Sequence, residues 1–295
     1  MKTHRHHLAT VSAPVLALAL LALSALSSPA AGLKLSDVEY GAASGESLKL
    51  DIDIPAGPGP FPAVIYVHGG GWTKGDKTIE GASMFDPLRN AGIARFSINY
   101  RLAPAYKYPA SSDDVDTAIR WVKARTADYN IDPTRIVLMG DSAGGHLVAL
   151  ATTRADASTR VAATVVFYGP TDMEKFFLRD ASKLPPGHKS PGEAYFGITA
   201  DTPEARKLLR EASPAAHVRA GLPPFLLLHG DKDPLVPIEQ TVAFQQKLRE
   251  AGVPCEFIIV KGGMHGMKKW DTLPSNYAAQ VLAWLQKTLG HAAKK

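Results

Sequence analysis

A single cysteine, Cys255, stands among 295 residues, so no disulfide within the chain can hold the fold together. A chain of this length buries enough apolar surface as one large domain to need neither a disulfide nor a metal staple. Cys255 opens the apolar run Cys255-Glu256-Phe257-Ile258-Ile259-Val260 and reads as a buried, unreactive thiol. Lysines and arginines are scattered rather than clustered with aromatics, which leaves nucleic-acid binding without support. The glycine-rich stretch near residue 70 lacks the Lys-Ser/Thr ending of a phosphate loop and the spacing of a dinucleotide fingerprint, so nucleotide chemistry is disfavoured.

What is present is an ordinary globular composition, 45% hydrophobic and 21% charged. The formal charge of +5 comes from 33 basic and 28 acidic residues. Two of the basic residues, Lys2 and Arg5, lie in the first segment, which holds no acid. Lys2, Arg5 and three histidines precede the apolar stretch Val15 to Leu26, and small residues follow at Ser28-Pro29-Ala30-Ala31-Gly32. That order is the mark of a secretory signal peptide, expected over residues 1–31 with cleavage near Ala30 or Ala31. The stretch is shorter than the roughly 20 residues of a membrane span. No cysteine lies near the cleavage zone and no twin arginine appears, so general export without a stable membrane anchor is expected, to the periplasm or the exterior.

From about residue 33 strand and helix patterns alternate. Ser47 to Ile54 alternates polar and apolar like an antiparallel outer strand. Ala63-Val64-Ile65-Tyr66-Val67, Ala94 to Asn99, Arg135 to Met139, Val161 to Tyr168, Pro224 to Leu228 and Cys255 to Val260 read as buried strands. Asp113 to Thr126, Ile238 to Ala251 and Tyr277 to Leu289 read as helices. The alternation predicts an α/β fold: one domain over 32–295 with a mostly parallel sheet, helices on both faces and a site beyond the carboxyl ends of its strands. Asp172 to Ser213, rich in proline and glycine, interrupts the alternation and is expected to be a small cap.

Three motifs fall just after strands. Gly140-Asp141-Ser142-Ala143-Gly144 follows Ile136-Val137-Leu138-Met139 and precedes a helix-compatible segment, the context of a nucleophile elbow with Ser142 at its tip. His68-Gly69-Gly70-Gly71-Trp72 follows the strand ending at Val67. Its glycines let backbone N–H groups approach a substrate, so Gly70, Gly71 and Ala143 are the candidate oxyanion donors. His68 itself reads as a residue that holds the loop. A serine hydroxyl needs a base, and the base an orienting acid. His265, flanked by glycines beyond the last strand, is the candidate base; His217, His229 and His291 lack that setting. Two aspartates follow the strand ending at Leu228: Asp233, deeper in the loop, is favoured as the acid and Asp231 as a turn former. Trp72 and Tyr168 are candidates for lining the substrate pocket, with plain packing as the alternative for each. Asp114, opening a helix, reads as a cap or a loop-anchoring hydrogen-bonder, and Asn99-Tyr100-Arg101 as a brace for the oxyanion loop, with Arg101 in a structural ion pair.

Taken jointly, these motifs with Asn99-Tyr100-Arg101-Leu102-Ala103-Pro104, Tyr108-Pro109-Ala110 and Asp132-Pro133-Thr134-Arg135-Ile136 resemble the hormone-sensitive-lipase-like esterases, and within them the bacterial feruloyl and acetyl-xylan esterase branch. The resemblance spans about residues 45 to 288. It implies the α/β-hydrolase fold and a carboxylesterase with no metal and no cofactor. Such an enzyme works through an acyl-enzyme on small-molecule or polysaccharide-linked esters. A peptidase or amidase of the same fold, and a catalytically dead binding protein, are the alternatives. Asp172 to Ser213 matches no pattern of the family, which leaves the substrate and the oligomeric state open.

Overall fold

The computed structural model describes residues 31–78, 83–178 and 192–290. Its strands are β1 (Leu33–Ala43), β2 (Glu46–Ile54), β3 (Phe61–Val67), β4 (Ala94–Ile98), β5 (Ile131–Asp141), β6 (Ala163–Phe167), β7 (Phe225–Gly230) and β8 (Cys255–Val260). They pair side by side in the order β1-β2-β4-β3-β5-β6-β7-β8. β1 with β2 and β2 with β4 are antiparallel; every pair from β4-β3 to β7-β8 is parallel. The parallel part is the expected one, and its continuous apolar runs follow from burial on both faces. Ile136 to Met139 of β5 are all 1% exposed or less.

Side chains alternate across each strand. On β3, Ala63, Ile65 and Val67 enter one core while Val64 and Tyr66 enter the other. The first core takes Val115, Ala118, Ile119 and Val122 from α2 (Ala110–Ala124), Leu147 and Val148 from α3 (Ala143–Arg154), and Phe244 from α7 (Glu239–Glu250). The second takes Phe85 and Leu88 from α1 (Phe85–Asn90), Trp270 from α8 (Met267–Trp270), and Val281 and Trp284 from α9 (Tyr277–Leu289). Helices therefore cover both faces, as the alternation predicts.

Two elements differ from the sequence reading. β2 is not outermost: β1 lies beyond it, and its mostly exposed residues and two register shifts hide the alternation that marks a strand. Cys255 is half-buried rather than fully buried, because β8 is the sheet's edge. Burial still pushes its thiol up to about 12, so it carries no thiolate at neutral pH.

The expected cap holds α4 (Met173–Phe177), α5 (Gly192–Phe196) and α6 (Pro203–Glu211). The short α4 and α6 start where Asp172 and Thr202 accept from the N–H groups of Lys175 and Ala205. Residues 179–191 of that segment and residues 1–30 of the expected signal peptide lie outside the described residues. Among the described residues no helix is long and apolar enough to cross a membrane.

Candidate active site

Ser142 sits between β5 and α3 at φ +52°, ψ −116°, a conformation that costs a non-glycine residue roughly 1–3 kcal/mol. The surroundings leave the turn no other shape. A Cβ on Gly144 would lie 2.0 Å from the carbonyl oxygen of Val67, and one on Gly140 2.5 Å from that of Gly144. Ser142 N–H donates to Phe167 O at 2.9 Å, and its own carbonyl accepts from His146 N–H at 3.0 Å.

The loop after β8 carries His265 to the serine, with Nε2 2.9 Å from Ser142 Oγ. Its Nδ1 lies 2.6 Å from Asp233 Oδ2. These contacts fix one tautomer: Nδ1–H donates to the carboxylate, and Nε2 accepts from the serine hydroxyl. The Asp233 side chain is buried, and its other oxygen accepts from the N–H groups of Leu235 (2.8 Å) and Val236 (3.0 Å). Burial alone would raise this carboxyl. Hydrogen bonds from His229 and His265, with that of Val236, outweigh it and hold the group well below the usual carboxylate range. Asp231 instead accepts from Gly262 N–H at 2.7 Å and braces the neighbouring loop.

The loop after β3 faces the elbow. Gly69 N–H donates to Asp141 Oδ1 (2.9 Å), Tyr100 Oη–H to His68 O (3.0 Å), and the N–H groups of Thr73 and Lys74 to Gly70 O (3.2 Å each). Gly70, Gly71 and Trp72 follow at φ +115°, +61° and +60°. A Cβ on Gly70 would lie 1.9 Å from Lys74 O, so only glycine fits. The N–H groups of Gly70, Gly71 and Ala143 have no acceptor among the described residues. That of Ala143 opens α3, where the helix dipole favours negative charge. Behind the loop, Arg101 meets buried Asp114 through Nη2 at 2.7 Å and its backbone N–H at 2.8 Å, which makes Asp114 the partner in the ion pair expected of Arg101. His68 Nδ1 lies 2.6 Å from Gly69 O and its ring stacks on Tyr100.

The two pocket candidates part company. Trp72 is 2% exposed, stacked on Tyr195 of α5 at 4.8 Å, with Nε1–H donating to His146 Nδ1 at 3.2 Å. It is a packing residue that ties the loop after β3 to α5 and α3. Tyr168 does line a cavity of about 800 Å³ beside His265. Its ring meets the imidazole edge-on at 4.7 Å, and its hydroxyl accepts from Met267 N–H at 3.0 Å. No described residue of 172–213 lines that cavity.

Four residues near the site escaped the sequence reading. Asp141 accepts from Tyr66 Oη–H at 2.6 Å as well as from Gly69; burial raises its carboxyl above the ordinary value, and those two donors oppose the rise. The signal for the pair was parity: Tyr66 is in register with Met139, so Asp141, two residues on, shares its face. His229 accepts at Nδ1 from Thr241 (2.7 Å), donates from Nε2 to Val236 O (2.9 Å), and has Asp233 Oδ2 at 3.4 Å. His146 is fully buried, with Nε2–H donating to Ala212 O at 2.7 Å; burial lowers it to about 4, so it is neutral. Each depends on pairings between distant strands and loops, which spacing along the chain does not display.

A family model described as BD-FAE matches residues 50–248. Esterase LipQ of Mycobacterium tuberculosis is 36% identical over 233 residues, 74% of this chain and 53% of LipQ. The chain spans about half the length of the first curated relatives it matches, between 50% and 57%. Among solved structures, a truncated carbohydrate esterase from gut microbiota is similar with a TM-score of 0.75 and 29% identity, covering 87% of this chain and 96% of that one. Thermogutta terrifontis esterase 2, phosphonylated by sarin, is similar with a TM-score of 0.70 and 26% identity, covering 89% and 97%.

Proposed function

The chain belongs to the BD-FAE family, and from that premise we propose that it is a serine carboxylesterase whose nucleophile is Ser142. The single observation that carries the reading is the unbroken contact series from Ser142 Oγ through His265 to Asp233, set beside three N–H groups with no acceptor among the described residues. His265 Nε2 takes the hydroxyl proton as Oγ attacks the ester carbonyl. Asp233 stabilises the imidazolium that results. Gly70, Gly71 and Ala143 receive the oxyanion, each such donor being worth about 3 kcal/mol of barrier. His265 returns the proton to the leaving alcohol, and water repeats the sequence on the acyl-enzyme.

Relatives named esterase and carbohydrate esterase support an ester over an amide. The phosphonylated neighbour supports a covalent route. The substrates proposed are short acyl esters or carbohydrate-linked acetyl and feruloyl esters. Export of the chain is proposed with them, on the basic, apolar and small-residue order of residues 1–31.

The test compares p-nitrophenyl acetate with 4-nitroacetanilide, and extends to acetylated xylan and methyl ferulate, using wild type and Ser142→Ala. Turnover of the esters by wild type alone is expected. Undiminished activity in Ser142→Ala would refute the nucleophile, and faster cleavage of the anilide would refute the ester preference.

A further inference from the structure

We propose that the cavity beside His265 accepts an ester whose alcohol half carries a negative charge, held by Lys74, Lys268 and Lys269. The inference rests on the esterase reading above and specifies its leaving group. His265 must stand beside the oxygen it protonates, so the departing alcohol lies on the His265 side of Ser142. The space there is the cavity of about 800 Å³, walled by Gly69, Gly70 and Lys74 to Asp76 on one side and His265 to Lys269 on the other, with Tyr66, Asp141 and Tyr168 also lining it.

Its charge is lopsided. Lys74 lines it from the loop after β3, and Lys268 and Lys269 line it from α8. All three are exposed, and none has an acidic partner among the described residues. Lys77, next to Lys74 in the same loop, is by contrast buried and paired with Asp37 (3.1 Å) and Asp51 (2.8 Å). Two carboxylates face the same space. Asp76 is tied to Thr78 N–H at 2.6 Å. Asp141 already accepts from Tyr66 and Gly69. Among the described residues three unpaired lysines outnumber two carboxylates, a positive balance that favours an anionic guest, and a cleft concentrates that field. The chemical class is an O-acylated alcohol bearing a carboxylate, as in a uronic-acid sugar or a hydroxybenzoate.

The experiment uses 4-acetoxybenzoate and its neutral methyl ester, which share the acetyl group and differ in charge on the leaving half. The quantity read is the ratio of kcat/KM for the anionic ester to that for the neutral one, which cancels general damage to the site. From wild type to a Lys74→Ala/Lys268→Ala/Lys269→Ala variant the ratio is expected to fall about 3- to 30-fold at low salt, the sum of three exposed ion pairs. Lys268→Glu/Lys269→Glu should lower it as well. Sodium chloride at about 0.5 M should remove most of the wild-type preference. A wild type that cleaves both esters with a ratio indifferent to these lysines and to salt overturns this proposal alone. A wild type that cleaves neither overturns the esterase reading, and this one with it.

Discussion

Gly70 and Asp233 carry different burdens at the residue scale. Gly70 is required by space, since any Cβ there meets Lys74 O. Gly70→Ala should therefore displace the oxyanion donors and lower kcat by about 10²- to 10³-fold, while circular dichroism stays as in wild type; near-normal kcat would remove Gly70 from the site. Asp233 is required by charge. Asp233→Asn keeps the shape but favours the wrong imidazole tautomer, and kcat should fall by about 10³- to 10⁴-fold. Because the folded carboxyl is held below its unfolded value, its stabilising effect is present above about pH 4 and is lost as pH falls through the folded value. A loss of activity centred above about pH 4 thus cannot come from Asp233. Ser142, Asp233 and His265 were legible because each follows an apolar run in the order the fold uses. Asp141, Tyr66 and His229 were not, since strand register and loop crossing create their contacts.

At the scale of elements, the loop after β3 and the helix α5 are joined by one indole. Trp72 packs between Tyr195 and His146, so Trp72→Ala should cost about 3–5 kcal/mol in denaturant unfolding. It should also slow kcat by freeing the loop; a stable variant with unchanged kcat would contradict this. Trp72 packs inward instead of lining the cavity because Tyr195 and His146, 123 and 74 positions further on, close around its ring, contacts that sequence order does not display.

On α2, burial raises Asp116 to about 6. The sign follows: the ionised form is disfavoured in the folded state, so the cost is full above about pH 6 and vanishes below about pH 4. Asp116→Asn should stabilise by about 1–3 kcal/mol at pH 7 and by nothing near pH 4, which Tm measured across pH will show. The strands β3 and β5 to β8 were legible as long apolar runs. β1 was not, because an exposed strand needs no apolar pattern, and α4 and α5 are five residues each, too short to display a helical period.

For the whole molecule, the parallel order of the sheet gathers loops that are far apart in sequence. Ser142 and His265 are separated by 123 positions and meet at 2.9 Å, because β5 and β8 run the same way and end on the same edge. The βα alternation makes that edge legible in the sequence. The choice of ester was not legible: the lysines proposed to set it come from a loop (Lys74) and a helix (Lys268 and Lys269), and no motif encodes the cavity they line.

The central claim is that Ser142 becomes covalently bonded during turnover. Labelling with a fluorophosphonate probe followed by peptide mass mapping tests it most directly. The expected result is a stoichiometric adduct on the peptide containing Ser142 in wild type, blocking ester hydrolysis, and no adduct in Ser142→Ala. An adduct on a different residue, or full hydrolysis by an unlabelled wild type, would contradict the account.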